Sequence, residues 1–353
     1  MSSYYDKAGI SQSFLKAVLK GITGINNYFK MGEKNYNLKE NSALRLGSLL
    51  DCFLTTPDLE DDLYYVEDAD FVKPSDSIIN ILTDCYENYD IDSMESTLFT
   101  ESLYKELCIK HSYYAKDTKG NETNRNKVFK GELAKNCNKY FHFLKYGHGK
   151  SIVTAQEYDR VREKQNQLEN HYFTSWFFKL LEHPDIKVIP QAEIFTKIDG
   201  VDCKGMMDWV LVNNSIKPIV LKQITIPARS ILIVDLKLTS YPTEKFNSVV
   251  KKFRYDFQQS FYRRLISEAK NIPIERIQCM NIFASLKRDY TGFKVYTEKE
   301  LYVGTFGVNG NEHVKGYKQA MDILKQYQEQ QNQFTIDYEI FNNNGKVKEI
   351  EYD

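Results

Sequence analysis

An aspartate and a lysine stand two residues apart in Ile231-Leu-Ile-Val-Asp-Leu-Lys237, and the rest of that run is apolar. Two-residue spacing on a strand sends both side chains to one face. Burying either charge alone is costly, so Asp235 and Lys237 form either a plain buried ion pair or part of a reactive centre. A second acid, Asp208, ends the run Lys204-Gly-Met-Met-Asp208 and sits amid Met206, Met207, Trp209 and Val210, with Gly205 permitting close backbone approach. Two carboxylates and a strand carbonyl make a hard-oxygen site suited to Mg²⁺, with Mn²⁺ able to substitute. Such an ion lowers the pKa of bound water and offsets charge on a phosphate. Lys237 is then placed to orient or deprotonate that water, or to stabilise the transition state. Glu193, across the hairpin from Asp208, is a candidate third carboxylate; an ordinary exposed strand Glu is the competing reading.

The next segment reads as one long helix, roughly Thr243 to Ala269. Phe253, Phe257, Phe261 and Leu265 recur every four residues and predict a core-facing stripe. Tyr255, Gln258 and Tyr262 fall at i, i+3 and i+7, an adjacent polar-aromatic face. Lys251, Lys252, Arg254, Arg263 and Arg264 add positive charge. A Gln/Tyr face rimmed by bases suits a DNA backbone lying over the acids; a solvated amphipathic helix is the plain alternative.

These residues need elements to hold them. The hydrophobic period is two through Val188–Ile198 and Val201–Val212, and Asp199-Gly200 between them is a hairpin signal. Ile219–Thr225, Ile231–Lys237 and Gln278–Ala284 read as further strands, Ile231–Lys237 as a buried central one. One or two more are expected within Gly292–Val303. Helical spacing covers Ile10–Lys30, where Ser11 or Ser13 is the cap, and Ala43–Leu54, ended by Pro57. Thr154 with Glu157 forms a capping box for a helix running to about His171; shorter helices are expected at Ser175–Leu181 and Val314–Gln331. The fold class is therefore α/β, a mixed central sheet flanked by helices. Residues 1–71 form a helical N-terminal part and 151–335 the core. Residues 72–150 read as an irregular or helical insertion with a polar loop at Lys116–Arg125, and 336–353 as a polar tail.

A chain of 353 residues with 42% hydrophobic residues can bury a substantial core. Basic and acidic residues nearly cancel, 47 against 48, which excludes a general basic coat but not a local basic groove. The first residues lack the pattern of a signal peptide, and no run approaches a membrane span, so a cytoplasmic protein without membrane contact is expected. Six scattered cysteines without a C-x-x-C pair suggest neither a zinc ribbon nor an iron–sulfur cluster.

Glu193, Gly205-Met-Met-Asp208, Asp235-Leu-Lys237 and Gln258-Gln-Ser-Phe-Tyr262, in this order, resemble the RecB-type branch of the PD-(D/E)xK nucleases. The last matches that branch's Q-x-x-x-Y motif. The opening Ile10-Ser-Gln-Ser-Phe-Leu15 resembles the start of exonuclease VIII-like proteins of phages and prophages. The resemblance implies a restriction-endonuclease-like core and a Mg²⁺-dependent 5′-to-3′ exonuclease acting on linear double-stranded DNA for recombination. It also implies a ring-shaped homo-oligomer, a single-strand annealing partner and a bacterial host cytoplasm. DNA contacts are expected from Ser11, Ser13, Lys251, Lys252, Arg254, Tyr255 and Arg263. Where the family commonly has a metal-binding histidine in G-x-x-x-H, this chain has Gly47-Ser-Leu-Leu-Asp51, so Asp51 is expected to take that place beside Asp208 and Asp235. The arginine often found next to the Asp208 position is absent. An endonuclease or nickase with the same chemistry, and a catalytically weakened DNA-binding protein on the same fold, stand as alternatives.

Overall fold

The computed structural model describes residues 4–37, 42–68, 71–93, 101–113, 137–221, 223–239, 241–285, 290–311 and 313–329. The Lys116–Arg125 loop and the 336–353 tail lie outside the described residues. The chain divides into two compact units, one of residues 1–56 with 164–353 and one of residues 57–163. Among the described residues no helix is long and apolar enough to cross a membrane.

Along the chain, the first unit opens with α1 (Gln12–Val18), α2 (Gly21–Asn37) and α3 (Ser42–Thr55). The predicted helix over Ile10–Lys30 is thus two helices, broken at Gly21, whose φ of 72° suits glycine. The second unit contains α4 (Glu60–Leu63), β1 (Tyr64–Glu67), α5 (Asp76–Asn88), α6 (Glu101–Lys110), α7 (Asn138–Tyr146) and β2 (Ser151–Thr154). Its helices α5, α6 and α7 enclose a core of their own, including Ile81, Leu82, Leu107, Cys137 and Phe141. The unit boundary falls inside α8 (Ala155–Asn170), which begins with the reciprocal bonds between Thr154 and Glu157.

The first unit continues with α9 (Ser175–Leu181), β3 (Ile186–Ile198), β4 (Val201–Asn213), a minimal hairpin β5 (Ile219–Val220) and β6 (Thr225–Ile226), and β7 (Ile231–Thr239). Then come α10 (Phe246–Phe253), α11 (Tyr255–Lys270), β8 (Ile277–Ser285), β9 (Thr291–Val295), α12 (Glu298–Phe306) and α13 (Tyr317–Glu329). The expected strand at Ile219–Thr225 is only the short hairpin. The region after Gly292 is one strand and then a helix, because Thr297 and Glu300 close a capping box.

The central sheet has the order β3-β4-β7-β8-β9. It is mixed: β7 and β8 run parallel and the other neighbours antiparallel. One face packs on α1, α2, α11 and α13 through Phe14, Leu15, Ile233, Phe257, Phe261, Leu265 and Met321. Helix α3 packs against β7, and on α9 Phe177 meets Trp209 of β4 edge to face. Gly205 sets the approach of α11, since a Cβ there would stand 2.6 Å from Leu265 Cδ1 and 3.1 Å from Tyr262 Cε1.

One expectation fails in a telling way. Residues 243–269 are not one helix, for Arg254 adopts φ 53° and ψ 51° and separates α10 from α11. Phe257, Phe261 and Leu265 are fully buried as a stripe, but the turn carries Phe253 outward to 43% exposure. Such a left-handed arginine is strained. Its guanidinium is held on Asp256 and on the Lys315 carbonyl.

Candidate active site

The site forms where the β3–β4 hairpin loses its regular alternation. In β4, Cys203 and Met207 face the core shared with α11, and three residues later so does Val210. In β3, Ala192 faces that core, and three residues away so does Ile189. A regular strand would return to one face after two residues, so both strands switch faces at the same level. Gln191 and Asp208 stand there, between the pairs Pro190/Trp209 and Ala192/Met207, and Gln191 has φ 44°.

The ladder from β4 to β7 ends at Trp209/Val234, so Asp208 and Asp235 occupy the next level, where the two strands part. The Leu236 N–H, which no longer has a β4 carbonyl, donates instead to Asp208 Oδ2 at 2.6 Å. Asp235 pairs in register with Asn281 of β8, and Asn281 with Lys294 of β9. A single polar row, Gln191, Asp208, Asp235, Asn281 and Lys294, thus crosses the sheet.

Asp235, 2% exposed, is gripped from several sides. Lys237 pairs with its Oδ2, Gln258 Nε2 donates to its Oδ1 at 3.1 Å, and Asn281 Nδ2 donates to its Oδ2 and its carbonyl oxygen, both at 3.0 Å. Gln258 also donates to the Tyr262 hydroxyl at 3.1 Å, and Tyr296 donates to Asn281 Oδ1. Buried polar groups demand such partners. Burial works against the Lys237 charge, but Asp235 overrides it and raises the ammonium pKa, with Tyr255 and Asp208 adding to the effect.

Asp51 enters from α3. Gln191 Nε2 donates to its Oδ2 at 2.7 Å and to Thr55 Oγ1 at 3.1 Å. Its Oδ1 is buried without a hydrogen-bond partner. Burial pushes the Asp51 carboxyl up to about 7; the Gln191 bond opposes this and the Asp235 charge adds to it. Asp208 is raised well above the ordinary carboxylate range, by burial first and then by the charges of Asp51 and Asp235. Asp208 and Asp235 thus stand on neighbouring strands at the level where β4 and β7 part, and Asp51 reaches that level through Gln191. Each carboxylate is turned to a different donor, and among the described residues no three His, Cys, Asp or Glu side chains gather as a ready ligand set. The chemistry of the acids still fits a hard divalent cation: hard oxygens, raised carboxyls at Asp51 and Asp208, and one orphaned buried oxygen.

Several expected site residues lie elsewhere. Glu193 is exposed and paired with Lys7 at 2.7 Å, because its neighbours Ala192 and Ile194 take the core side of β3 and turn it outward. Arg263 is buried, bound to Glu298 and the Ile274 carbonyl, so it faces α12. Ser11 accepts from Phe14 N as the α1 cap and lies 3.3 Å from the Tyr28 hydroxyl, and Ser13 is buried, accepting from Gln12. Arg254 is spent on the helix break. Lys251 and Lys252 are exposed, and Tyr255 lies under Lys237, whose Nζ is 5.0 Å from the ring centroid.

Gln191, Asn281 and Tyr296 were not foreseen from sequence. Asn281 leaves a trace, as the one amide within the apolar stretch Cys279–Ala284 of β8, but only the β7–β8 register brings it to Asp235.

No protein-family model matches this chain, and no curated protein does. Among solved structures it is similar to a candidate exonuclease from Eubacterium rectale, at 12% identity and a TM-score of 0.29, over 66% of this chain and 63% of that one. It is also similar to the protein SSO0001, at 10% identity and a TM-score of 0.22, over 36% of this chain and 52% of that one. This chain spans less than two thirds of either.

Proposed function

We propose that this chain is a divalent-metal-dependent deoxyribonuclease of the PD-(D/E)xK class. Asp51, Asp208 and Asp235 would hold Mg²⁺, Lys237 would stand beside the reacting phosphate, and Gln258 and Tyr262 would support Asp235. The observation that carries this reading is the level of the sheet where Asp208 and Asp235 stand on neighbouring strands, with Asp51 held to it through Gln191, one carboxylate oxygen orphaned and a lysine on the strand of Asp235. A cation would offset the burial and neighbouring charge that raise the Asp51 and Asp208 carboxyls. A bound Mg²⁺ supplies Lewis-acid polarisation of a phosphoryl oxygen and lowers the pKa of water. Lys237, paired with Asp235, would orient water and offset phosphate charge.

The ordered motifs support a finer reading, a 5′-to-3′ exonuclease on linear duplex used in recombination. The test is cleavage of linear, nicked and covalently closed DNA with Mg²⁺, with Mn²⁺ and with excess EDTA. Shortening of linear duplex from 5′ ends, with closed circles spared, is expected. Cutting of closed circles would make it an endonuclease, and cleavage in EDTA would remove the metal.

Asp51 and Asp208 must both lose their protons to serve as ligands, and both carboxyls are raised, Asp51 to about 7. Affinity for Mg²⁺ or Mn²⁺ is therefore expected to rise with pH through neutrality, with proton release on binding below it. Calorimetric titration at about pH 6 and about pH 8 measures this. Equal affinities would exclude Asp51 from the ligand set.

A further inference from the structure

The helix break at Arg254 leaves an aromatic ring exposed beside the candidate site. Phe253 is 43% exposed although its neighbours at the same helical spacing, Phe257 and Phe261, are fully buried. Its ring lies nearly parallel to that of Tyr255, at 21° and 5.8 Å between centroids. Tyr255 in turn lies under Lys237 Nζ at 5.0 Å. Lys252 Nζ is 5.4 Å from the Phe253 centroid and donates to the Tyr241 hydroxyl at 2.9 Å. Lys16 Nζ donates to the Phe253 carbonyl at 3.1 Å, and Lys251 is exposed next to Lys252. The nearby acid, Asp256, is neutralised by Arg254.

Cations and aromatic rings therefore run outward from Lys237 in the order Lys237, Tyr255, Phe253, Lys252, Tyr241. Burial would favour a straight helix with Phe253 in its stripe. The strained turn at Arg254 instead holds the ring in water, fastened by an ion pair and a carbonyl. We infer that Phe253 is a stacking platform for a nucleobase of the DNA strand, with Lys251 and Lys252 taking the flanking phosphates. Rings accept any base by its π face, while lysines track the backbone. The platform would bind without sequence preference, and it rests on the nuclease reading for its ligand.

The test measures binding without hydrolysis, in EDTA, with single-stranded and 3′-overhang oligonucleotides carrying 2-aminopurine near the end. Wild type is expected to quench the probe, as stacking does. Phe253→Ala is expected to lose that quenching and at least about fivefold in affinity, with an unchanged melting temperature because the ring is exposed. Phe253→Trp is expected to restore affinity, and its added indole fluorescence should fall on binding any sequence. Wild-type affinity in Phe253→Ala, or no quenching in wild type that binds DNA, would overturn the platform and leave the nuclease reading intact. A wild type that neither binds nor cuts DNA would overturn both.

Discussion

Asp235→Asn is expected to slow metal-dependent DNA cleavage by about a thousandfold or more, ~4 kcal/mol of transition-state stabilisation, in a protein that still folds. The carboxylate is the hub of the site, receiving Lys237, Gln258 and Asn281 at once. Asparagine keeps its shape and one acceptor oxygen. It forfeits the charge that a cation needs and that holds Lys237 protonated. The structural cost is a mismatched donor and a Lys237 ammonium left without its carboxylate, about 3–5 kcal/mol. Alanine is the poorer test, because it also strips Gln258 and Asn281 of their side-chain acceptor. Single-turnover cleavage in Mg²⁺, read beside thermal unfolding, separates chemistry from stability. Undiminished cleavage by the folded variant would sink the role of Asp235.

Phe257→Ala should cost roughly 3–5 kcal/mol of stability, whereas the adjacent Gln258→Ala should mainly cost rate. Phe257 is fully buried in the core between α11, α1 and the sheet. Gln258, one residue on, points to Asp235 Oδ1 and the Tyr262 hydroxyl. Losing that positioned amide removes about 1.4 kcal/mol of transition-state stabilisation, about tenfold in turnover. Denaturant unfolding and single-turnover rates on both variants check the assignment. Early melting of Gln258→Ala with a stable Phe257→Ala would reverse the two faces of α11.

Local patterns made much of this legible. Period two marks β3 and β4, a nearly continuous apolar run marks β7, Asp199-Gly200 marks the β3–β4 hairpin with φ values of 50° and 85°, and the mixed sheet with flanking helices follows from element order. Asp235, Lys237, Gln258 and Tyr262 could be related because strand and helix periods fix which side chains share a face. What periods cannot carry is a break in periodicity. The switch at Gln191 and Asp208 turned Glu193 outward and gave Gln191 the place beside Asp51, and the left-handed Arg254 expelled Phe253 from its stripe. Nor do periods carry register between distant strands, so the path from Asp235 through Asn281 to Tyr296 was invisible before β7 and β8 were aligned.

The row of polar residues across the sheet also acts as a key for assembly. Asp235 is satisfied only when β8 presents Asn281 to it; a slip by one residue would offer Met280 or Ile282 and leave a carboxylate and an amide stranded among aliphatic chains. Parallel strands with apolar runs on both faces otherwise discriminate weakly between neighbouring alignments. The few polar side chains placed here for reactivity therefore reject misaligned sheets. Chains that lose Asn281 would be expected to fold more slowly or into mixed alignments, before any question of catalysis arises.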